Sequence, residues 1–111
     1  MLNQIILVGR LVRDPELKES EKGKNYTQIT LAIPRSFKNA SGEYESDFID
    51  CTLWEVVAKS TSEYCHKGDI VGVRGRIQSR VVEVEKEKKY YTDIIAEKVT
   101  FLSSKKTEEA E

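Results

Sequence analysis

Short runs of Val, Ile, Thr and aromatic residues recur along this chain at fairly even intervals, with turn-forming residues between them. Such runs are typical of β-strands, because branched and aromatic side chains fit a pleated, half-buried surface. One further stretch changes to a helical period and is followed by a Lys-Gly stop. The pattern predicts an all-β chain with one short helix, the five strands being Gln4–Leu11, Tyr26–Ile33, Phe48–Glu55, Ile70–Val82 and Tyr90–Leu102.

The connections sharpen this prediction. The second strand is expected to stop at Pro34, because proline donates no ladder hydrogen bond. The polar stretch Phe37–Asp47 is expected to form a hairpin tip, and the charged run Glu83–Lys89 a second, solvated hairpin loop. The helix is expected over Val57–His66, with an inward side made by Val57, Thr61, Tyr64 and Cys65. Five strands with a helix between the third and the fourth is the element order of the OB-fold, a five-stranded Greek-key barrel.

Size and charge limit what such a barrel can do. The chain has 111 residues, 39% of them hydrophobic, which suffices for one modest core. Its 18 basic and 19 acidic residues give a formal net charge of -1. The sequence is therefore not that of a strongly basic protein, and any nucleic-acid binding must depend on where the charges lie.

Few residues point to catalysis or to a cofactor. Cys51 and Cys65 are expected to be buried, reduced thiols, and His66 a solvated residue near a helix end. There is no metal-ligand spacing and no Gly-rich phosphate loop, so neither metal nor cofactor is expected, and an enzyme is the weakest hypothesis. Without a long apolar stretch or a secretory signal, the chain is expected to be soluble and cytoplasmic, with no membrane partner.

The third strand has two contrasting faces, because side chains alternate along a strand. One face carries the apolar residues Ile49, Cys51 and Leu53, and the other carries Phe48, Asp50, Thr52 and Trp54. The two aromatic residues either seal a barrel end or an oligomer contact, or form a platform on which nucleic-acid bases stack. Each stacked base contributes about 1–3 kcal/mol.

The fourth strand favours the platform. Val71, Val73, Ile77 and Val81 lie on one of its faces, and Arg74, Arg76, Gln78 and Arg80 lie on the other. These arginines are either solvated and paired with carboxylates, or available to a phosphate backbone. Arg35, Phe37 and Lys38 lie together at the base of the first hairpin. Aromatic and basic residues on neighbouring strands suit a single nucleic-acid strand better than a duplex.

The sequence resembles the bacterial single-stranded DNA-binding proteins in several ordered blocks that together span about residues 1–102. The blocks are Ile6–Leu17, Leu31–Asn39, Asp47–Trp54, Tyr64–Gly68 and Val71–Arg80. Several blocks in the same order are far more specific than one short motif.

The resemblance implies an OB-fold, a homotetramer, and sequence-tolerant binding of single-stranded DNA in replication, recombination, repair or DNA uptake, without catalysis. By position, Phe37, Phe48 and Trp54 match three base-stacking residues of the family, whereas a fourth such position falls at Val82, which is not aromatic. Backbone contacts are expected from Arg35, Lys38, Arg74, Arg76 and Arg80. The first strand would pair across a dimer interface, through Asn3, Ile5, Leu7 and Gly9.

The resemblance covers one binding domain, residues 1–102, followed by residues 103–111 as a short polar tail that is expected to be disordered. Family members commonly end in an acidic Pro-Phe peptide that recruits replication and repair enzymes, and this sequence shows none. A short paralog, a phage or plasmid protein and a truncated chain all fit that difference. RNA is a second candidate ligand. The alternative function is an OB-fold protein-interaction module of a primosome or replication-restart assembly.

Overall fold

A computed structural model describes residues 1–104. Six strands and one helix follow in the order β1 (Ile5–Leu11), β2 (Lys18–Glu19), β3 (Asn25–Lys38), β4 (Tyr44–Trp54), α1 (Glu55–Tyr64), β5 (Ile70–Val84) and β6 (Glu87–Ser103). The five long strands and the helix follow in the predicted order, but β4 begins at Tyr44, inside the predicted hairpin tip Phe37–Asp47. Strand β2 is a two-residue strand beside β3 that the sequence did not indicate. Residues 105–111, most of the predicted tail, lie outside the described residues.

The five long strands close into a barrel. Their order is β1-β5-β6-β4-β3, and β1 closes the ring by pairing with β3 at Arg10 and Leu11. All pairs are antiparallel except β4 with β6. This arrangement confirms the predicted five-stranded barrel of the OB-fold.

The core is formed by inward side chains of the strands and by one side of the helix. Leu11, Leu31, Leu53 and Val71 are among the fully buried residues. Gly75 allows a close approach of β5 to β6, because a Cβ atom there would overlap the backbone oxygen of Ile95. The barrel therefore depends on a glycine in the middle of β5.

The prediction that the second strand stops at Pro34 is wrong. Strand β3 continues to Lys38, with Pro34 opposite Ser46 on β4 and a register shift between Pro34 and Lys38. Strand β1 pairs with β3 only as far as Ala32, so the proline lies where one edge of β3 has no partner among the described strands. Proline is tolerated at such an edge and beside a bulge.

The predicted loop Glu83–Lys89 is also wrong. Strands β5 and β6 continue to Val84 and from Glu87, and a two-residue turn joins them. Both turn residues, Glu85 and Lys86, have positive φ, at 49° and 71°, as tight hairpin turns of the mirror-image type require. The charged residues before and after the turn are strand residues that project beyond the barrel.

The helix lies two residues earlier than predicted, and one of its expected inward residues is wrong. Tyr64 is exposed, whereas Ala58 and Thr61 are buried and Cys65 is buried just after the helix ends. Tyr64 is the last residue of this ten-residue helix, and the buried stripe of Ala58 and Thr61 does not extend to it. Among the described residues, no helix is long and apolar enough to cross a membrane.

Candidate nucleic-acid interface

The outer face of β4 presents two aromatic rings. Phe48 is 66% exposed and Trp54 is 40% exposed, while Cys51 and Leu53 between them are buried. The alternation predicted for this strand is therefore present, and the rings lie outside the core. They are available to a flat ligand.

Trp54 has an aromatic neighbour that the sequence reasoning did not single out. Tyr26 on β3 is directly opposite Trp54, with ring centroids 5.3 Å apart and ring planes inclined by 36°. The two rings line an open groove of about 670 Å³, together with Lys22 and Lys24 from the turn before β3. The register between β3 and β4 places Tyr26 opposite Trp54. This register cannot be deduced from the sequence around Tyr26 alone.

The arginines of β5 lie on the same outer surface as the aromatic residues of β4. Strand β6 separates the two sets: Thr52 on β4 pairs with Ile95, which pairs with Arg76 on β5. Adjacent strands are about 4.8 Å apart, so the rows on β4 and β5 are about 10 Å apart. The aromatic and basic faces therefore form one continuous surface.

Two of these arginines form ion pairs with carboxylates of β6. The guanidinium of Arg80 donates to Asp93 at 2.9 Å, and that of Arg76 is 3.8 Å from Glu97. The hydrogen bond to Asp93 is the main reason that the pKa of Arg80 is raised. Arg74 forms no ion pair within residues 1–104. The face of β5 that carries Arg74, Arg76 and Arg80, here called the arginine face, is expected either to pair with carboxylates or to be available to phosphates. In the structure, Arg76 and Arg80 pair with carboxylates.

The first hairpin carries a similar arrangement. Arg35 bridges Glu45 and Asp47, each at 2.8 Å, and its hydrogen bonds lower the pKa of the Asp47 carboxyl. Lys38 lies 5.7 Å from the ring centroid of Tyr44, in the range of a cation–π contact. Phe37 is exposed at the same end of β3.

Tyr91 is a further aromatic residue that the sequence analysis missed. It pairs with Arg80 across β5 and β6, and the guanidinium carbon of Arg80 lies 4.9 Å from its ring centroid. Val82, the non-aromatic position, is two residues further along the same face of β5. An exposed aromatic ring is thus present near Val82, but on the neighbouring strand.

The residues proposed for an oligomer contact differ in their surroundings. The amide of Asn3 donates to the Ile77 carbonyl at 2.7 Å and accepts from its N–H at 2.9 Å. Leu7 packs against the core and Ile5 is half-buried. Gly9 is buried, and a Cβ there would be 2.9 Å from Cγ1 of Ile33. On β1, the exposed apolar side chains are those between these residues, Ile6 and Val8.

The thiols and the histidine have the environments that the sequence indicated. Cys51 and Cys65 are free and buried, and burial raises the pKa of Cys51 to about 11. His66 is exposed two residues after α1. Within the described part of the chain, no group of three His, Cys, Asp or Glu residues is placed to hold a metal ion.

Comparison with known proteins identifies where similar sequences occur. The profile of the "Single-strand binding protein family" matches residues 2–102. The chain is 49% identical to "Single-stranded DNA-binding protein B" of Bacillus subtilis, over 99% of this chain and 98% of that protein. It is 45% identical to "Single-stranded DNA-binding protein 3" of Listeria innocua, over 95% of this chain and 66% of that protein. It is 44% identical to "Single-stranded DNA-binding protein 1" of Staphylococcus aureus, over 98% of this chain and 70% of that protein.

Proposed function

Because the chain belongs to the single-strand binding protein family, we propose that it binds single-stranded DNA with little sequence preference and without catalysis. Its setting would be the bacterial cytoplasm, during replication, recombination, repair or DNA uptake. Bases would stack on Phe37, Phe48 and Trp54, since every base has a π-face and stacking does not select a sequence.

One observation carries this proposal. Two exposed rings on β4, Phe48 and Trp54, share a continuous outer surface with Arg76 and Arg80 about two strand spacings away. A single strand has both unstacked bases and phosphates to offer such a surface, whereas a duplex keeps its bases stacked inside.

The phosphate contacts would come from Arg35, Lys38, Arg74, Arg76 and Arg80. Three of these arginines are held by carboxylates, so phosphate binding there would exchange one anionic partner for another. Such exposed ion pairs are worth about 0–1 kcal/mol, which is small enough for exchange. Binding would then release counterions from the DNA and weaken as salt is raised.

The same proposal includes a homotetramer in which the first strand forms a subunit contact around Asn3, Ile5, Leu7 and Gly9. Exposed Ile6 and Val8 on that strand support it, because a small domain gains stability by covering such side chains. Light scattering after size-exclusion chromatography should give the mass of four 12.7 kDa chains. The mass of one chain would contradict the tetramer.

The decisive experiment uses the fluorescence of Trp54, the single tryptophan. The protein is titrated with oligo-dT, oligo-U and a matched duplex at two salt concentrations. Strong, salt-sensitive quenching by oligo-dT and none by the duplex is expected. Quenching by oligo-U would add RNA as a ligand. No quenching and no shift in a gel assay would overturn the proposal in favour of a protein-interaction module.

A further inference from the structure

Arg13 reaches the outer face of β3 and β4 from the segment after β1. Its Nη2 donates a 2.6 Å hydrogen bond to Oγ1 of Thr30. Thr30 in turn donates its hydroxyl to Oδ1 of Asp50 at 2.5 Å. Because Thr30 and Asp50 are directly paired on β3 and β4, the guanidinium is tied to the strand face that carries Phe48.

The residues on each side of Arg13 are also held. The N–H of Val12 donates to the Thr30 carbonyl at 3.1 Å, and the carboxylate of Asp14 accepts from the N–H of Lys67 at 2.7 Å. The position of Arg13 therefore rests on three separate hydrogen bonds. Such a side chain loses less freedom on binding than a mobile one.

The Thr30–Asp50 pair, to which Arg13 is hydrogen-bonded, lies between the two aromatic rings of β4. Asp50 is two residues from Phe48 and four from Trp54, which corresponds to about 7 Å and 13 Å along the strand. A nucleic-acid strand with bases stacked on both rings must carry its intervening phosphates past this point.

The guanidinium retains most of its donors. Arginine has five N–H groups, and the structure assigns one of those on Arg13 to Thr30. In contrast to Arg35 and Arg80, Arg13 makes no ion pair among residues 1–104. It is also exposed, so a ligand can reach it.

The surroundings indicate which anion fits. A cleft of about 220 Å³ beside Arg13 is also lined by the carboxyl side chains of Asp14, Glu16 and Asp50 and by Lys18. These carboxylates disfavour a free inorganic anion. The binding of a phosphodiester whose neighbouring bases are stacked on Phe48 and Trp54 does not depend on charge alone. Such a phosphodiester can accept hydrogen bonds from Arg13.

We propose that Arg13 binds a phosphodiester of single-stranded DNA on the outer face of β3 and β4, where Thr30 and Asp50 position it between the Phe48 and Trp54 rings. The proposal rests on the proposed function, and it adds a phosphate-binding group from outside the strands that carry the arginine face.

The test is the salt dependence of binding by Arg13→Gln, measured by the anisotropy of labelled oligo-dT on the full chain. The slope of log K against log salt should become less steep by about 0.7 for each phosphate that the variant no longer neutralises. Arg13→Lys should keep the slope but bind more weakly, since lysine keeps the charge without the planar fork. Lys59→Gln removes the same charge from the exposed side of α1 and should leave the slope unchanged.

The outcomes separate the two proposals. A normal slope in Arg13→Gln, beside steep salt dependence in the wild type, would overturn the role of Arg13 alone. No binding by the wild type would overturn both proposals. Thr30→Val removes the hydroxyl that accepts the Arg13 hydrogen bond and keeps the charge of Arg13, so it should weaken binding with an unchanged salt slope. Should Arg13→Gln fail to fold, unchanged affinity in Thr30→Val would overturn the positioning.

Discussion

The ring of Tyr26 lies 5.3 Å from that of Trp54 and inclines to it by 36°, so one side of the tryptophan is covered by a neighbouring strand. Aromatic pairs in such tilted geometry contribute about 0.5–1.5 kcal/mol beyond the area that they bury. The pair restricts the orientation of a ring that is still 40% exposed. Tyr26 therefore belongs to the proposed binding surface even if no base touches it.

Replacing Tyr26 should loosen Trp54. In Tyr26→Ala, we expect red-shifted Trp54 emission and weaker binding of oligo-dT, because the ring gains solvent and orientational freedom. A double-mutant cycle with Trp54→Ala on thermal unfolding should give a coupling of about 0.5–1.5 kcal/mol. Additive effects of the two substitutions would show that the contact has no energetic role.

Removal of either exposed ring of β4 should impair binding and spare the fold. We expect Phe48→Ala and Trp54→Ala each to lose about 1–3 kcal/mol of affinity for oligo-dT, measured by anisotropy. Tyr64→Ala is the matched control, because Tyr64 is an exposed aromatic residue on α1. If both β4 variants bind normally while folded, these rings are not a stacking platform.

Removing the carboxylate partner of Arg80 should strengthen binding. Asp93→Asn retains the shape of the partner but not its charge, so phosphate no longer competes with the 2.9 Å ion pair. Since an exposed ion pair is weak, we expect affinity for oligo-dT to rise about two- to fivefold at low salt. The gain should vanish in the Arg80→Gln background, and a gain that persists there would point to a general charge effect.

Two glycines of β5 should respond differently to the same substitution. A Cβ at Gly75 overlaps the backbone oxygen of Ile95, whereas one at Gly72 has its nearest neighbour, Cδ1 of Leu102, at 3.6 Å. Gly75→Ala should therefore lower the free energy of unfolding by about 3 kcal/mol or prevent folding, and Gly72→Ala should be tolerated. Equal denaturation midpoints for the two variants would contradict this packing.

Burial of Cys51 makes stability depend on alkaline pH. Its pKa rises from the ordinary 9.0 to about 11 because the thiolate would be desolvated. The folded state thus favours the protonated thiol, and this contribution is complete below pH 9 and lost as pH rises towards 11. Urea unfolding between pH 8 and 11 should show a steeper loss in the wild type than in Cys51→Ala, by up to about 3 kcal/mol. Parallel curves would indicate no linkage at this thiol.

Much of the fold can be predicted from local pattern, and the binding surface only in part. Alternation along β4 separates Phe48 and Trp54 from the core residues without any knowledge of the partner strands. Tyr26 and Arg13 gain their positions from contacts across β3, which depend on register and loop path. The acidic partners of Arg76 and Arg80 both come from β6, whose register against β5 shifts at a bulge, so their pairing depends on long-range register as well.

The pairing of β1 with β5 has a consequence for how the chain folds during synthesis. Ile5 pairs with Gly75 and Arg10 with Ile70, so β1 cannot find its main partner until β5, about 60 residues later, has been made. Pairings of such high sequence separation fold slowly, because a long loop must be closed first. Until then Leu7 and the core residue Leu11 remain open to other nascent chains. Folding yield should therefore depend on how well the unpaired β1 is protected during synthesis, in addition to the stability of the finished barrel.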